Sequence, residues 1–407
     1  MDSISSLIQE NLALSRTVTP RDLKLRPVHR WFVYPHSFDA LLVQQLLARW
    51  KLSSTSVILD PFCGAGTTLV TSASLGYRAV GIDISPLSVL VTSAKMASVE
   101  PDEVLDTWSE LVHAISGAEW SKPVRHYSAS IERAVPEPIR DAVFSILAEL
   151  GVISKGHVAD VIKLAVLGAL PPFLLAVANG GWLRWRTTAQ DPSGFLAAVD
   201  DRLHKMMQDR KDVPIDVECV VLQGDARRCQ HLADDPIGAV ITSPPYPNRH
   251  DYTRVFQIEL EMLFLDAHEV QLLRRQTIRS HPEAKLSASA HHDLPVFIAE
   301  KLAIVSQRSK DRRVGRFLSD YVEDMFEVLG ALKSICEPGA PIAFIVGNVQ
   351  YSGVSLPIDE WVAYLGMAQG LKCTAIEVVR YRGNSAQQMG AYGRHPSRES
   401  IVLFRAP

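Results

Sequence analysis

The 407-residue sequence predicts an α/β fold: a doubly wound, mostly parallel seven-stranded sheet carrying a helical and a basic insertion. Three observations predict it. Strand-like runs recur as continuous β-branched stretches without polar alternation, the pattern of strands covered on both faces. Helix-like segments separate them, and such alternation builds parallel crossovers. A glycine turn, "DPFCGAGTT" (60–68), joins the first run to the first helix.

The strand runs are 56–60, 78–84, 218–225, 238–243, 340–347, 373–380 and 400–406, with helices expected at 65–76, 86–97, 253–265, 319–335 and 357–370. Two stretches interrupt the alternation. Residues 100–210 are far longer than a connection between two strands needs; they are helical in pattern and hold "GGWLRWR" (180–186). Residues 266–316 carry ten Lys/Arg against six Asp/Glu. The chain thus divides into 1–99, the N-terminal motif and first half of the sheet domain; 100–215, a mainly helical insertion; 216–265, the domain continued; 266–316, a basic insertion; and 317–407, its last part.

Composition sets bounds. With 47% apolar residues, 21% charged residues and a net charge of −3, this is an ordinary globular chain, not a polycation. Nucleic acid would have to be met by a local basic surface. The tail of the basic insertion, "RSKDRRVGR" (308–316), is the candidate, with five basic residues and one acid. Its competing reading is a solvated helix face. The five cysteines form no C-x-x-C pair, so reduced thiols and a cytoplasmic location are expected. The N-terminus lacks the basic and apolar regions of a signal peptide. The longest apolar stretch (164–183) is broken by Pro171-Pro172 and two glycines, and reads as a buried helical pair rather than a membrane span. His291-His292-Asp293 reads as a solvated loop, and no metal is expected.

The glycine turn carries the first chemistry. Gly64 and Gly66 let backbone approach a ligand, and the following helix start offers free N–H groups. Seventeen residues past Gly66, Asp83 ends the second strand, where a carboxylate can accept from ribose hydroxyls. Leu69 stands where a dinucleotide loop would carry its third glycine, and no Gly-Lys-Ser/Thr end marks a phosphate loop. Asp225, past the third strand, can accept from an adenine amino group, or cap the next helix. Asp60, Asp83 and Asp225 would then face one crevice.

The fourth strand ends in Ser243-Pro244-Pro245-Tyr246. Two prolines remove two N–H donors and fix φ twice, so nearby carbonyls stay available as acceptors. The Ser243 hydroxyl and a carbonyl of Ser243 or Pro244 can accept from an exocyclic NH₂, and Tyr246 offers a stacking face.

"DPFCGAGTT" together with "TSPPY" resembles the amino-methylating DNA methyltransferases, which use S-adenosyl-L-methionine. "TSPPYPNRHDYTRVFQIEL" and the N-terminal "PVHRWFVYPHSF" (27–38) resemble an N4-cytosine-type branch. The resemblance covers 27–97, 218–265 and 319–406 and leaves both insertions outside. It implies that Asp60, Pro61, Phe62, Cys63, Gly64, Ala65, Gly66, Thr67 and Thr68 line the methionine end of the cofactor. Asp83 and Ile84 would take the ribose side, Asp225 and Ala226 the adenine, and Trp31 and Tyr34 would close over the ligand. Ser243, Pro244, Pro245 and Tyr246 would hold a flipped-out target base. Ser as the first residue of that motif suggests cytosine N4; adenine N6 is the alternative, followed by an RNA amino group or a non-catalytic DNA-binding module. Double-stranded DNA is the implied partner, met by Arg249, Arg308, Arg312, Arg313 and Arg316, with the helical insertion as a candidate target-recognition region. A cognate restriction endonuclease is the implied companion.

Overall fold

In β8 (Pro341–Gly347), Ile342, Phe344 and Val346 point to one side and Ala343 and Ile345 to the other, and every one is buried. That pleat explains the unbroken apolar runs: both faces of the strand need covering. The first face packs on helices Arg313–Ile335 and Ile358–Ala368. The second packs on helices Ala40–Trp50, Thr67–Ser74 and Pro86–Met96. The computed structural model describes residues 2–116, 125–179, 181–231, 235–286, 294–383, 393 and 396–407.

Among these, the central sheet has eight strands. They are β1 (Ile8–Glu10), β2 (Val57–Asp60), β3 (Arg78–Asp83), β6 (Cys219–Gln223), β7 (Ala239–Thr242), β8, β11 (Lys372–Arg382) and β12 (Ser397–Arg405). A hairpin, β4 (Ala176–Asn179) with β5 (Trp182–Trp185), and a small pair, β9 (Val349–Tyr351) with β10 (Val354–Leu356), stand outside it. The order is β1-β11-β12-β8-β7-β2-β3-β6. From β6 to β8 the pairing is parallel; β12 runs antiparallel to both its neighbours. The strand absent from the seven-run expectation is β1, "IQE", which pairs Ile8 with Ile376. Three residues without a buried run leave no signal in sequence.

The helical insertion is not a separate body. Its helices Pro101–Ser116, Glu137–Ile153, His157–Ala169 and Phe195–Asp212 join the same apolar cluster as Leu87, Val91 and Ala94. The expected helical pair over 164–183 is corrected. One helix ends at Ala169, Pro171–Phe173 forms a 3-10 turn, and the chain then enters the β4–β5 hairpin. Two prolines without N–H groups stop the helix. No helix among the described residues is long and apolar enough to cross a membrane. The helix expected at 253–265 is two, Tyr252–Val255 and Gln257–Leu263, parted at Phe256. The helix expected from 319 begins at Arg313, so the basic tail runs into its first turn.

Candidate active site

β2 delivers Asp60 to the carboxyl edge of the sheet, and the chain turns through Cys63–Gly66 into helix Thr67–Ser74. Gly64 (φ 50°) and Gly66 (φ 77°) are left-handed, and a Cβ on Gly66 would lie 3.0 Å from Thr92 Cγ2. The loop is held from beneath. Thr92 Oγ1 donates to Gly64 O at 3.0 Å, and Lys95 Nζ donates to Ala65 O and Phe32 O, each at 2.7 Å. Lys95 is buried, which pulls its pKa down to about 7.

Asp60 is held by neutral donors. Its Oδ1 accepts from Thr242 Oγ1 at 2.6 Å and Phe62 N at 3.1 Å, and its Oδ2 from Thr68 Oγ1 at 2.8 Å. Burial pushes its carboxyl to about 6, against the pull of those donors. The carboxylate thereby ties β2, β7 and the glycine-loop helix together. Asp83 accepts Gly64 N on Oδ2 at 3.0 Å and Ser85 N on Oδ1 at 2.9 Å. Burial raises its pKa, and the backbone donors oppose the rise. Each Asp83 oxygen keeps further acceptor capacity.

These groups wall a cleft of about 1160 Å³, continuous with solvent. Asp60, Pro61, Phe62, Cys63, Gly64, Ala65 and Thr67 line one end, Asp83 adjoins them, and Ile84, Asp225 and Ala226 continue the wall. Tyr34 closes one side, its hydroxyl 3.0 Å from Ser88 Oγ and its ring 4.3 Å from that of Phe256. Gly66 and Thr68 lie behind the lining.

Ser243 stands where this cleft meets a second, smaller cavity, and it lines both, as do His36, Ser37 and Phe38. Ser243 Oγ donates to Ile345 O at 3.1 Å, and the Tyr246 hydroxyl lies within hydrogen-bond reach of it. Pro245 faces the first cleft and Tyr246 the second; Pro244 is buried behind them. The second cavity is also lined by Arg380, Arg382 and Glu399. Arg380 Nη2 pairs with Glu399 at 2.7 Å, and the Arg382 guanidinium lies 5.8 Å from the Tyr246 ring centre. A Cβ on Gly347 would come 2.8 Å from Tyr246 Cε2, so a glycine there makes room for the ring.

Residues 14–92 match the family model described as DNA methylase (N6_N4_Mtase). The Type II methyltransferase M.BsoBI of Geobacillus stearothermophilus is 26% identical over 443 aligned residues, covering 94% of this chain and 86% of that protein. M.AvaI of Anabaena variabilis, also a Type II methyltransferase, is 24% identical over 427, covering 94% and 87%. M.MvaI of Kocuria varians is 31% identical over 123 residues, covering 30% of this chain and 25% of its own. These matches support placing the chain among the S-adenosylmethionine-dependent DNA methyltransferases.

S-Adenosyl-L-methionine is the methyltransferase's cofactor, and the cleft fits it. The glycine loop strips Cβ atoms from one end, Asp83 offers acceptors at the middle, and Ile84 and Ala226 give apolar walls for a flat base.

Several expected residues fall elsewhere. Trp31 does not line the cleft. Its indole Nε1 donates to Asp209 Oδ2 at 3.0 Å, Val28 N donates to the same oxygen at 3.1 Å, and Arg30 pairs with that carboxylate. Arg210 lies over the Trp31 ring at 5.0 Å. Trp31 therefore fastens the N-terminal motif to helix Phe195–Asp212 of the insertion. Asp225 lines the cleft, but its carboxylate is engaged by Arg227 at 2.6–3.0 Å, with Arg227 N capped at 3.0 Å. The capping reading therefore describes Asp225, and a ligand amino group would have to share its oxygens.

Arg308, Arg312, Arg313 and Arg316 are exposed. Arg313 pairs with Asp311 at 3.1 Å, and Arg249 reaches the same carboxylate at 3.9 Å, which sets the basic run beside the Ser243–Tyr246 turn. Much of the remaining charge of 266–316 is engaged internally: Arg274 pairs with Asp251 at 2.8 Å and Arg279 with Asp324 at 2.5 Å. His291, His292 and Asp293 lie outside the described residues. Sequence reasoning missed Lys95, His36 and the Arg380–Arg382–Glu399 group. Only Lys95 left a trace, as a lone lysine in the apolar helix "PLSVLVTSAKM".

Proposed function

We propose that this methyltransferase transfers the methyl group of S-adenosyl-L-methionine to the exocyclic N4 of a cytosine flipped out of double-stranded DNA. The observation that carries the reading is Ser243 at the wall between two cavities, with its hydroxyl proton given to Ile345 O. A hydroxyl so committed is an acceptor toward anything in the second cavity. An amino group bonded to Ser243 Oγ and to the Ser243 or Pro244 carbonyl has its hydrogens held, and its lone pair turned toward the first cleft.

When bound, the cofactor supplies an electrophilic methyl group on its sulfonium sulfur, with the neutral thioether as leaving group. What the chain adds is alignment, since an in-line displacement needs positioning more than acid–base power. The Asp60–Thr68 turn would hold the methionine end, Asp83 the ribose hydroxyls, Ile84 and Ala226 the adenine faces, and Tyr34 the lid. Tyr246 stacks on the target base. The amino proton leaves to solvent or through Ser243 as the new C–N bond forms. Arg249 and the basic run would meet phosphates, and the helical insertion would read the flanking sequence. A companion restriction endonuclease fits relatives named Type II methyltransferases.

Cytosine is favoured over adenine by the guanidinium groups at the second cavity. Cytosine carries two acceptors, N3 and O2, beside its N4 amino group, and Arg380 and Arg382 are donors. Adenine has no carbonyl oxygen to meet them. The test is modification-sensitive sequencing of DNA from cells expressing the chain, with mass spectrometry of the digested nucleosides. N4-methylcytosine at one recurring motif is expected. N6-methyladenine would replace cytosine by adenine in the same site, and unmodified DNA would overturn methylation of DNA altogether.

A further inference from the structure

The hairpin β4–β5 projects an indole that the site above does not use. Trp182 is 75% exposed. The register pairs Asn179 with Trp182 and Val177 with Arg184, so Trp182 and Arg184 share one face of the hairpin. Leu183 takes the opposite face and packs on the core. Single exposed apolar side chains are common on proteins and mean little by themselves. Three further observations set this one apart.

The first is charge. Residues 176–186 contain two arginines, Arg184 and Arg186, and no acid, and the Arg184 guanidinium makes no hydrogen bond or ion pair with another described residue. The second is rigidity at the root. Leu175 N donates to Ala134 O at 2.8 Å, Arg186 N to Leu175 O at 2.7 Å, and the Arg133 guanidinium lies 4.1 Å over the Trp185 ring. The third is position. The Arg254 guanidinium lies 5.8 Å from the Trp182 ring, is held by Glu283 at 2.6 Å, and follows two residues, Tyr252 and Thr253, that line the cofactor cleft. The indole thus stands at the rim of the site, on a fixed root, beside an uncommitted arginine.

We propose that Trp182 enters the DNA duplex beside the target and stacks in the space the flipped base leaves, with Arg184 on a neighbouring phosphate. The inference rests on the reading of the chain as a methyltransferase of duplex DNA. A duplex fits this face because it offers both parts at once: phosphates for the arginine and stacked bases for the indole. The wedge acts on base pairing, not on the chemistry at the amino group, and that separation makes it testable.

The experiment measures single-turnover methylation of two duplexes carrying the methylated motif, one with the target cytosine paired, one with it opposite adenine. Trp182→Ala should slow the paired duplex by roughly 5- to 150-fold, the range for removing one base–aromatic stack. On the mispaired duplex, where opening costs less, the slowing should be under about threefold. Trp182→Phe should keep most of the rate, and cofactor affinity, measured by calorimetry, should be unchanged in both. A wild-type rate for Trp182→Ala on the paired duplex would overturn the wedge. Equal slowing on the two duplexes, or a change in self-association in place of a change in rate, would overturn it as well. The product base, read separately by mass spectrometry, tests the parent reading: an adenine product sinks the cytosine assignment, and the same comparison is then made with that adenine paired and mispaired.

Discussion

The parallel half of the sheet and its antiparallel end stabilise carboxylates in opposite ways. On the parallel half, Asp60 and Asp83 are met by hydroxyl and backbone N–H donors and, among the described residues, by no cation. On the antiparallel end, Glu399 is met by Arg380 and Glu377 by Arg49, each at 2.7 Å. The difference follows from backbone geometry. Where a parallel strand turns into a helix, free N–H groups are at hand. An antiparallel pair commits its N–H groups to the ladder, so a buried charge there needs a side-chain partner. The consequence is a cofactor cleft carrying uncompensated acid, suited to a sulfonium, next to a second cavity carrying guanidinium groups, suited to a base carbonyl. Ser243 is the seam.

The largest effect that would break this contrast is on the parallel side. Asp83→Ala should weaken S-adenosyl-L-methionine binding by roughly 1.5–3 kcal/mol, the cost of hydrogen bonds to a charged acceptor. Binding to DNA, measured on the same protein, should stay at the wild-type level. Titration calorimetry decides it: a folded variant with unchanged cofactor affinity would remove Asp83 from the site, and the electrostatic contrast would lose its meaning.

That contrast is only half legible in the sequence. The inner parallel strands β2, β7 and β8 announce themselves as apolar runs of four to seven residues because both of their faces are buried, and the acids of the parallel half stand at run ends, where chain order alone brings them to one edge. The antiparallel side gives no such sign. Arg382 and Glu399 lie on β11 and β12, and only the register of that pair, which sets Arg380 opposite Glu399, brings them to one cavity. Trp31 fails for a similar reason, since its partner Asp209 lies 178 residues along the chain in an insertion. Asp225 is readable either as a ligand group or as a cap; Arg227, two residues on, engages it. Lys95 shows the remaining limit. A buried cation held by two carbonyls, one from each of two loops, has no spacing that a sequence pattern can carry.

The next largest effect tests the other side of the seam. Tyr246→Ala should cost roughly 1–3 kcal/mol in the DNA-dependent step, as one base–aromatic stack is removed. Cofactor affinity should not change, because the glycine loop and its acids are untouched. Ser243→Ala should likewise retain cofactor and slow the chemical step, read as a single-turnover rate with DNA and cofactor saturating. If Ser243→Ala turns over at the wild-type rate, the hydroxyl does not orient the amino group. The two prolines then do no more than end β7, and the seam is merely structural.

The smallest effect lies outside both cavities and sharpens the contrast by asking what holds the DNA over them. Arg308, Arg312, Arg313 and Arg316 are exposed, but they are not equivalent. Arg313 already shares Asp311 with Arg249, so its charge is partly compensated. Arg308 precedes Asp311 by three residues, Arg312 stands between Asp311 and Arg313, and Arg316 sits one turn into helix Arg313–Ile335. Replacing all four with Ser should lower the log–log salt slope of DNA binding by up to about 0.9 for each phosphate no longer neutralised. Restoring Arg313 alone to that protein should recover the least, since Asp311 competes for it. Cofactor affinity and the paired-to-mispaired rate ratio should both hold, because neither cavity is touched. Should the salt slope of the fourfold variant match the wild type, this run is a solvated helix face, and binding of the phosphates passes to the helical insertion at 100–215.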